Sequence, residues 1–250
     1  MGLRGASVGT MEDDEPAARA EGPDPPPPTR TFKPRRRRMS PARAAAYERL
    51  IGEWSLAETG ALLDLAGVFG RRCPVVLEIG FGGGEATLAL ARSRPDLGVI
   101  AVDVHTPGVG RVLEAVEAEG LRNVRVVEGD ALVVLDRFAR GSLDAVHVLF
   151  PDPWPKVRQR HRRLVRPDVV AALTERLRVG GTLHVATDID DYARQVLAVC
   201  AADPRLRGGI VERPAWRVVT RFEQRGLDEG RAAVDLSFVR VDEEAERARR

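Results

Sequence analysis

The segment FPDPWPKVRQRHRRL, residues 150–164, brings together a carboxylate, an indole and a row of cations. Prolines fix their own backbone angles and restrict the preceding residue, so Asp152, which lies between two of them, is held rigidly. The cations that follow are Lys156, Arg158, Arg160, His161, Arg162, Arg163 and Arg166. A solvated cationic surface usually carries interspersed acids, and the next acid is Asp168. The run therefore favours contact with nucleic-acid phosphates.

A second candidate site is the glycine-rich stretch LEIGFGGGEA, residues 77–86, between a predicted strand and a predicted helix. Gly80, Gly82 and the two glycines after them leave backbone N–H groups accessible to a ligand. The spacing departs from the G-x-G-x-x-G of dinucleotide sites. Glu78, just before the glycines, would repel a pyrophosphate but suits an ammonium or sulfonium group.

Two further acids end neighbouring predicted strands. Asp103 is placed to accept hydrogen bonds from ribose hydroxyls, and Asp130 lies where an adenine amino group would be. A nucleoside that carries positive charge fits this set, so we predict S-adenosylmethionine as the ligand. A glycine turn with no ligand and a dehydrogenase site are the alternatives.

Methyl transfer from a sulfonium is an in-line displacement that needs an aligned nucleophile and exclusion of water. A purine N7 is already nucleophilic, and its methylation places positive charge on the ring. A carboxylate such as Asp152 would stabilise that charge. Trp154 could stack on a base or pack the loop, and the sequence leaves both roles open.

These residues need a sheet whose strands end at one edge. Apolar runs predict strands at 74–80, 97–104, 123–130, 143–150 and 182–188, which alternate with helices. SPARAAAYERL predicts a helix capped by Ser40, and a second helical piece covers 56–66. AWRVVTRFE and AAVDLSFVRV are predicted as a final strand pair. We therefore predict an α/β, Rossmann-like fold with a mostly parallel seven-stranded sheet, an antiparallel edge and helices on both faces.

The composition sets the remaining expectations. Residues 1–40 are rich in proline and arginine and poor in large apolar residues, which predicts a disordered tail before a single domain at 41–250. No apolar run reaches membrane-spanning length, and Cys73 and Cys200 have no metal spacing. We expect a cytoplasmic protein without a metal and without an obligatory protein partner.

Five blocks of the sequence resemble the signature blocks of bacterial tRNA (guanine-N7-)-methyltransferases, a family of class I methyltransferases that use S-adenosylmethionine. They are LEIGFGGG, VDVHTPGVG, FPDPWPKVRQRHRRL, ATDIDDY and TRFEQRG, in family order from about residue 70 to 241. The resemblance implies methylation of a guanosine in the tRNA variable loop.

The resemblance also implies roles for individual residues. It assigns the methyl-donor site to Glu78, Gly80, Gly82, Asp103, Asp130 and Asp152, and catalysis to Asp152. It assigns the target nucleotide to Lys156, Asp188, Thr220, Arg221, Phe222 and Glu223. It assigns RNA binding to Arg158, Arg160, Arg162 and Arg163. Asp103 stands where the family more often has Glu, and Arg221 where Lys is usual.

Two other functions remain open from the sequence. Acid-Pro-x-aromatic loops also occur in enzymes that methylate amino groups, such as adenine N6. The third possibility is a non-catalytic RNA-binding module with a Rossmann-like fold, but such a module would not need every donor-site acid.

Overall fold

The computed structural model describes residues 31–32 and 39–243. Seven strands form one sheet in the order β3-β2-β1-β4-β5-β7-β6. The first five run parallel, while β7 is antiparallel to both of its neighbours. The predicted mostly parallel sheet with an antiparallel edge is confirmed. The strands are β1 Val75–Ile79, β2 Gly98–Asp103, β3 Val124–Glu128, β4 Leu143–Leu149, β5 Leu177–Thr187, β6 Leu206–Val211 and β7 Val234–Arg240.

Helices cover both faces of the sheet, also as predicted. They are α1 Pro41–Trp54, α2 Leu65–Phe69, α3 Glu85–Ser93, α4 Thr106–Glu119, α5 Ala131–Val134, α6 Pro167–Arg176, α7 Asp190–Ala202 and α8 Arg221–Asp228, with 3₁₀ turns at Leu135–Arg137 and Val157–Arg162. The Ser40 hydroxyl caps α1 by accepting from the Arg43 N–H. None of the helices in the described ranges is long and apolar enough to cross a bilayer.

Each face of the sheet has its own hydrophobic core. Val76 and Val99 pack with α1, α3 and α4 on one face. Leu77 and Ile100 pack with α5, α6 and α7 on the other. Burial on both faces explains why the parallel strands are continuous apolar runs. The sheet is therefore a rigid support whose parallel strands all end at the same edge.

The predicted helix at 56–66 is wrong. Its backbone groups are satisfied by other elements, since the Leu56 N–H donates to the Val126 carbonyl at 2.8 Å. The Leu63 N–H likewise donates to the Arg137 carbonyl at 2.8 Å, and the Arg137 guanidinium donates to the Ala57 and Ala61 carbonyls. Residues 56–64 are consequently irregular, and the helix α2 begins only at Leu65.

The predicted strand AWRVVTRFE is also wrong, because the strand that pairs with β7 is β6. Gly208 and Gly209 weaken the strand signal of β6, yet the fold requires glycine at position 208. A Cβ at Gly208 would lie 2.0 Å from the Ser237 carbonyl oxygen. In AWRVVTRFE, Thr220 caps α8 and bonds the Glu223 N–H, a T-x-x-E capping pattern that the strand interpretation overlooks.

The predicted tail at 1–40 lies almost wholly outside the described residues, so its disorder and the domain boundary at 41 stay predictions. Thr31 is described and buried. Its carbonyl accepts a hydrogen bond from the Trp154 indole at 3.0 Å. At least this point of the preceding chain contacts the folded protein.

Candidate active site

The glycine-rich turn leaves β1 at the carboxyl edge of the sheet. Gly80, Gly82 and Gly84 have φ angles of +79°, +57° and +79°, a region that other residues adopt only with strain. A Cβ on Gly108 in α4 would lie 1.9 Å from the Gly82 carbonyl oxygen. A Cβ at Gly80 would instead meet open space. The turn is thus packed tightly against α4 at Gly82 and open at Gly80. The open side suits a ligand that approaches the backbone.

Glu78 is a buried carboxyl group beside this turn, with 3% of its surface exposed. It accepts a 2.6 Å hydrogen bond from the Thr87 hydroxyl. Burial raises the pKa of Glu78 to about 7, and the charges of Asp103 and Glu85 act in the same direction. None of the ion pairs among the described residues includes Glu78. A buried carboxylate without a cation gains from a positively charged ligand.

Asp103, at the end of β2, holds the turn in place. Its two oxygens accept from the Gly82 N–H at 2.6 Å and the His105 N–H at 2.9 Å. Burial raises the pKa of Asp103, although the two backbone hydrogen bonds lower it. A carboxylate can accept about four hydrogen bonds, so capacity remains for ribose hydroxyls.

Asp130 lies beyond β3, and its side chain has a local role that the sequence does not reveal. It caps α5 by accepting from the Leu132 N–H at 2.9 Å. Its own N–H donates to the Glu58 carboxylate at 2.6 Å. Glu58 escapes sequence reasoning because its segment is predicted as a helix. The cap fixes Asp130 just beyond the end of β3, at the carboxyl edge of the sheet.

The loop after β4 carries the candidate catalytic residue. The register Ile79↔Val148 places this loop beside the glycine turn. Phe150 and Trp154, on either side of Asp152, have positive φ angles of 52° and 41°. Such strained conformations persist only where the surroundings impose them, and they concentrate at functional sites.

Trp154 packs the loop. It is 4% exposed, its indole donates to Thr31, and the Arg162 guanidinium lies 5.1 Å from its ring centroid. This arrangement decides between the two roles that the sequence leaves open. The indole face is part of the protein interior rather than a platform for a base.

The cations after the loop fall into two groups. Lys156 and Arg158 are exposed, and Arg160 is exposed while paired with Asp191 at 2.6 Å. Arg162 lies partly buried against Trp154. Arg163 is 1% exposed. The predicted phosphate contact for Arg163 must therefore be corrected, because a buried guanidinium does not reach RNA at the surface.

The TRFE block also divides. Phe222 lies near the glycine turn, and Arg221 forms an ion pair with Glu85 at 2.9 Å. Thr220 and Glu223 are buried. The Thr220 hydroxyl caps α8 by accepting from the Glu223 N–H, and the Glu223 carboxylate accepts from Arg217. We therefore correct their assignment: they position the block, and the exposed pair between them faces the turn. Asp188, which follows β5, is fixed by Arg231 at 2.7 Å.

A buried charged cluster anchors this block, and nothing in the sequence pattern reveals it. Arg217 donates to Glu223 and Asp235, at 2.7 Å in each case. His184 also bonds Asp235, at 2.8 Å. Burial raises the pKa of Asp235, but the bonds from His184 and Arg217 lower it overall. The Arg217 guanidinium lies 5.5 Å from the Phe150 ring centroid, so the cluster reaches the candidate catalytic loop.

The fold and this edge together define a class I methyltransferase. A crystal structure of a 16S rRNA methyltransferase shares the fold with a TM-score of 0.51 and 16% identity, over 73% of this chain and 96% of that one. Residues 72–236 match a family described as "Putative methyltransferase".

Two relatives narrow the class. A tRNA (guanine-N(7)-)-methyltransferase of Streptomyces avermitilis is 47% identical over 85% of this chain and 75% of its own length. One of Nitrosomonas europaea is 43% identical over 86% of this chain and 98% of its own length. This chain belongs to the tRNA (guanine-N7-)-methyltransferase family.

Proposed function

We propose that this protein transfers the methyl group of S-adenosylmethionine to N7 of a guanosine in tRNA, and that this guanosine lies in the variable loop. The observation that carries the proposal is the strained loop that holds Asp152 beside the glycine turn. Family membership supplies the reaction and the substrate class. Since the substrate is tRNA, the reaction takes place in the cytoplasm.

The residues at the edge fit this methyl donor. Glu78 supplies negative charge for its ammonium or sulfonium, and Asp103 retains acceptor capacity for its ribose. Gly80 leaves space above the backbone, and Asp130 borders the adenine end. When bound, the donor supplies an electrophilic methyl group on a positively charged sulfur.

Asp152 acts on the acceptor side. Guanine N7 carries a lone pair and needs no base to remove a proton. As N7 becomes bonded to carbon, the ring becomes positively charged, and a carboxylate held nearby stabilises that charge. The strained, proline-fixed loop keeps the carboxylate in position before the substrate arrives, so little reorganisation is needed during the reaction.

The side chains around the loop bind the tRNA. Phe222 and Arg221 flank the glycine turn, and Lys156 and Asp188 follow the ends of β4 and β5. We assign the target guanosine to these four residues. Arg158, Arg160 and Arg162 extend the surface outward and contact phosphates, while Arg163 does not.

The test is nucleoside analysis of unmodified tRNA after incubation with the protein and a methyl-labelled donor. We expect 7-methylguanosine, and strand cleavage at the modified base should place it in the variable loop. Asp152→Asn keeps the shape of the side chain and removes its charge. It should lower turnover by about 100-fold or more, with the melting temperature retained.

Other outcomes would revise the proposal. N6-methyladenosine would indicate amino-group methylation instead. Binding of tRNA without any methylation would indicate an RNA-binding module. Near-normal turnover of Asp152→Asn would show that the residue only shapes the loop.

A further inference from the structure

Arg163 is an almost completely enclosed cation behind the candidate catalytic loop. Its Nε–H donates to the Pro153 carbonyl at 2.8 Å. One terminal nitrogen donates to Gln195 at 2.8 Å, and the other bonds both oxygens of Asp191 at 2.9 and 3.0 Å. Its guanidinium lies 4.6 Å from the Tyr192 ring centroid. Each of the three guanidinium nitrogens is therefore hydrogen-bonded within the protein.

These contacts connect one rigid element, α7, to one short loop. Asp191, Tyr192 and Gln195 all belong to α7, which packs against the core through Tyr192. Pro153 is the residue after Asp152. A planar guanidinium donates in fixed directions. Because the Arg163 guanidinium is held by α7, its bond to the Pro153 carbonyl also fixes the direction of that carbonyl.

The loop needs such support because its backbone is strained. Phe150 and Trp154 both have positive φ angles, and only three residues separate them. Residues in such conformations relax unless the surrounding structure holds them. The Arg163 bond to Pro153 lies inside the strained stretch, directly beside the candidate catalytic carboxylate.

We infer that Arg163 is a positioning residue for methyl transfer: it ties the Pro153 carbonyl to α7 and thereby holds the Asp152 carboxylate at the sheet edge. The inference rests on the proposed role of Asp152. It also explains why one arginine of the cationic run is buried. The first cations of the run are exposed and face the RNA, whereas Arg163 supports the loop from inside the protein.

The two roles open to Arg163 give different kinetics. A positioning residue affects kcat, since small displacements of a reacting group cost about 10- to 100-fold in rate. A residue that binds a phosphate affects tRNA affinity and its salt dependence, and its removal lowers the salt slope by about one unit. We expect Arg163→Lys to lower kcat by about 10- to 100-fold. The KM for tRNA, its salt slope and donor affinity should stay within about twofold of the wild type.

Two further variants complete the test: one is a control, and the other is a second probe of the same contact. Arg205→Lys changes a partly buried arginine that pairs with Asp203 at the far end of α7, and it should leave kcat at the wild-type value. Gln195→Ala removes one partner of the Arg163 fork and should lower kcat about threefold without a change in KM, as a weaker form of the same defect. Gln195→Ala also keeps the inference testable if Arg163→Lys does not fold.

A double variant tests whether Arg163 acts through Asp152. In single-turnover assays, adding Arg163→Lys to Asp152→Asn should lower the rate of methyl transfer hardly further. The Asn side chain at 152 no longer stabilises the developing charge, so displacing it has little additional effect. A full multiplicative loss would overturn the inference, as would wild-type kcat in Arg163→Lys with raised KM and a reduced salt slope. Absence of 7-methylguanosine from the wild-type reaction would instead overturn the proposed function.

Discussion

Phe222 lies against Gly82: a Cβ added at Gly82 would come within 3.3 Å of the Phe222 ring. Beside them, the Arg221–Glu85 ion pair joins the first turn of α8 to the first turn of α3. The candidate nucleotide-binding block and the candidate donor-binding turn are therefore parts of a single site, although they lie far apart in the sequence.

This contact predicts the effect of Gly82→Ala. The new methyl group meets the Phe222 ring, and a residue with a side chain at φ +57° costs about 1–2 kcal/mol. Because the turn must shift, we expect donor affinity to fall about tenfold, measured by calorimetry with S-adenosylhomocysteine. Gly209→Ala is the matched control, since its Cβ meets nothing within 4 Å. Equal affinity in both variants would show that the turn does not bind the donor.

The pKa of Glu78 predicts a pH dependence of donor binding. Burial raises this pKa from 4.5 to about 7. Only the ionised carboxylate attracts a cationic donor, so affinity should strengthen as the pH rises through about 7. Titration of the donor at pH values from acid to alkaline should show this change. It should be lost in Glu78→Gln, and a Gln variant with an unaltered pH profile would assign the change to another group.

The same pKa shift predicts an opposite trend in stability. The folded protein binds the Glu78 proton more tightly than the unfolded chain, so its contribution to stability is complete below about pH 4.5. That contribution is lost as the pH rises through about 7. Denaturant unfolding of the wild type and Glu78→Gln at several pH values should show a difference that changes over this window. A constant difference would mean that Glu78 stays ionised in the fold.

Exposed Arg158 is expected to contact a tRNA phosphate. Arg158→Ala should weaken binding at low salt and reduce the slope of log affinity against log salt by about 0.7–0.9. Arg178, an exposed arginine near the opposite end of β5, provides the control because it is remote from the loop. The measurement is tRNA affinity across a salt series. Equal slopes for both alanine variants would show that Arg158 is only solvated.

Removal of Arg217 should unfold the protein more easily, because Glu223 and Asp235 would become buried charges without their main partner. We expect Arg217→Ala to lower the free energy of unfolding by about 3–5 kcal/mol. Arg213→Ala removes a more exposed partner of Glu223 and should cost about 1 kcal/mol or less. Denaturant melts compare the two, and similar small losses would show that the cluster contributes little.

The sequence is most informative where one physical cause dominates. Buried strands such as β1 are apolar runs, and strand-end acids such as Asp103 follow them directly. β6 escapes prediction because its Gly208 is required by contact with Ser237 in β7, and that contact is not local. A local pattern does not show which partner strand will lie beside a given glycine.

The arginines show the same limit. Arg158 and Arg163 look equivalent in a cationic run, but only the second points into the protein, toward Asp191 of α7. Arg217 lies in a segment whose pattern predicts a strand, so its pairing with Glu223 has no local signal. Burial of a charge depends on distant partners, whereas the Thr220 cap is recognisable from spacing alone.

The position of β7 constrains how the chain can be assembled during synthesis. β7 is inserted between β5 and β6, although it is the last of the sheet strands in chain order. Until β7 leaves the ribosome, β5 has an open edge and β6 has no neighbour among the strands described. Open edges invite pairing with other chains. The nascent protein therefore passes through a stage in which the five parallel strands are complete but Asp235 of β7, the hydrogen-bond partner of His184 in β5, is still missing.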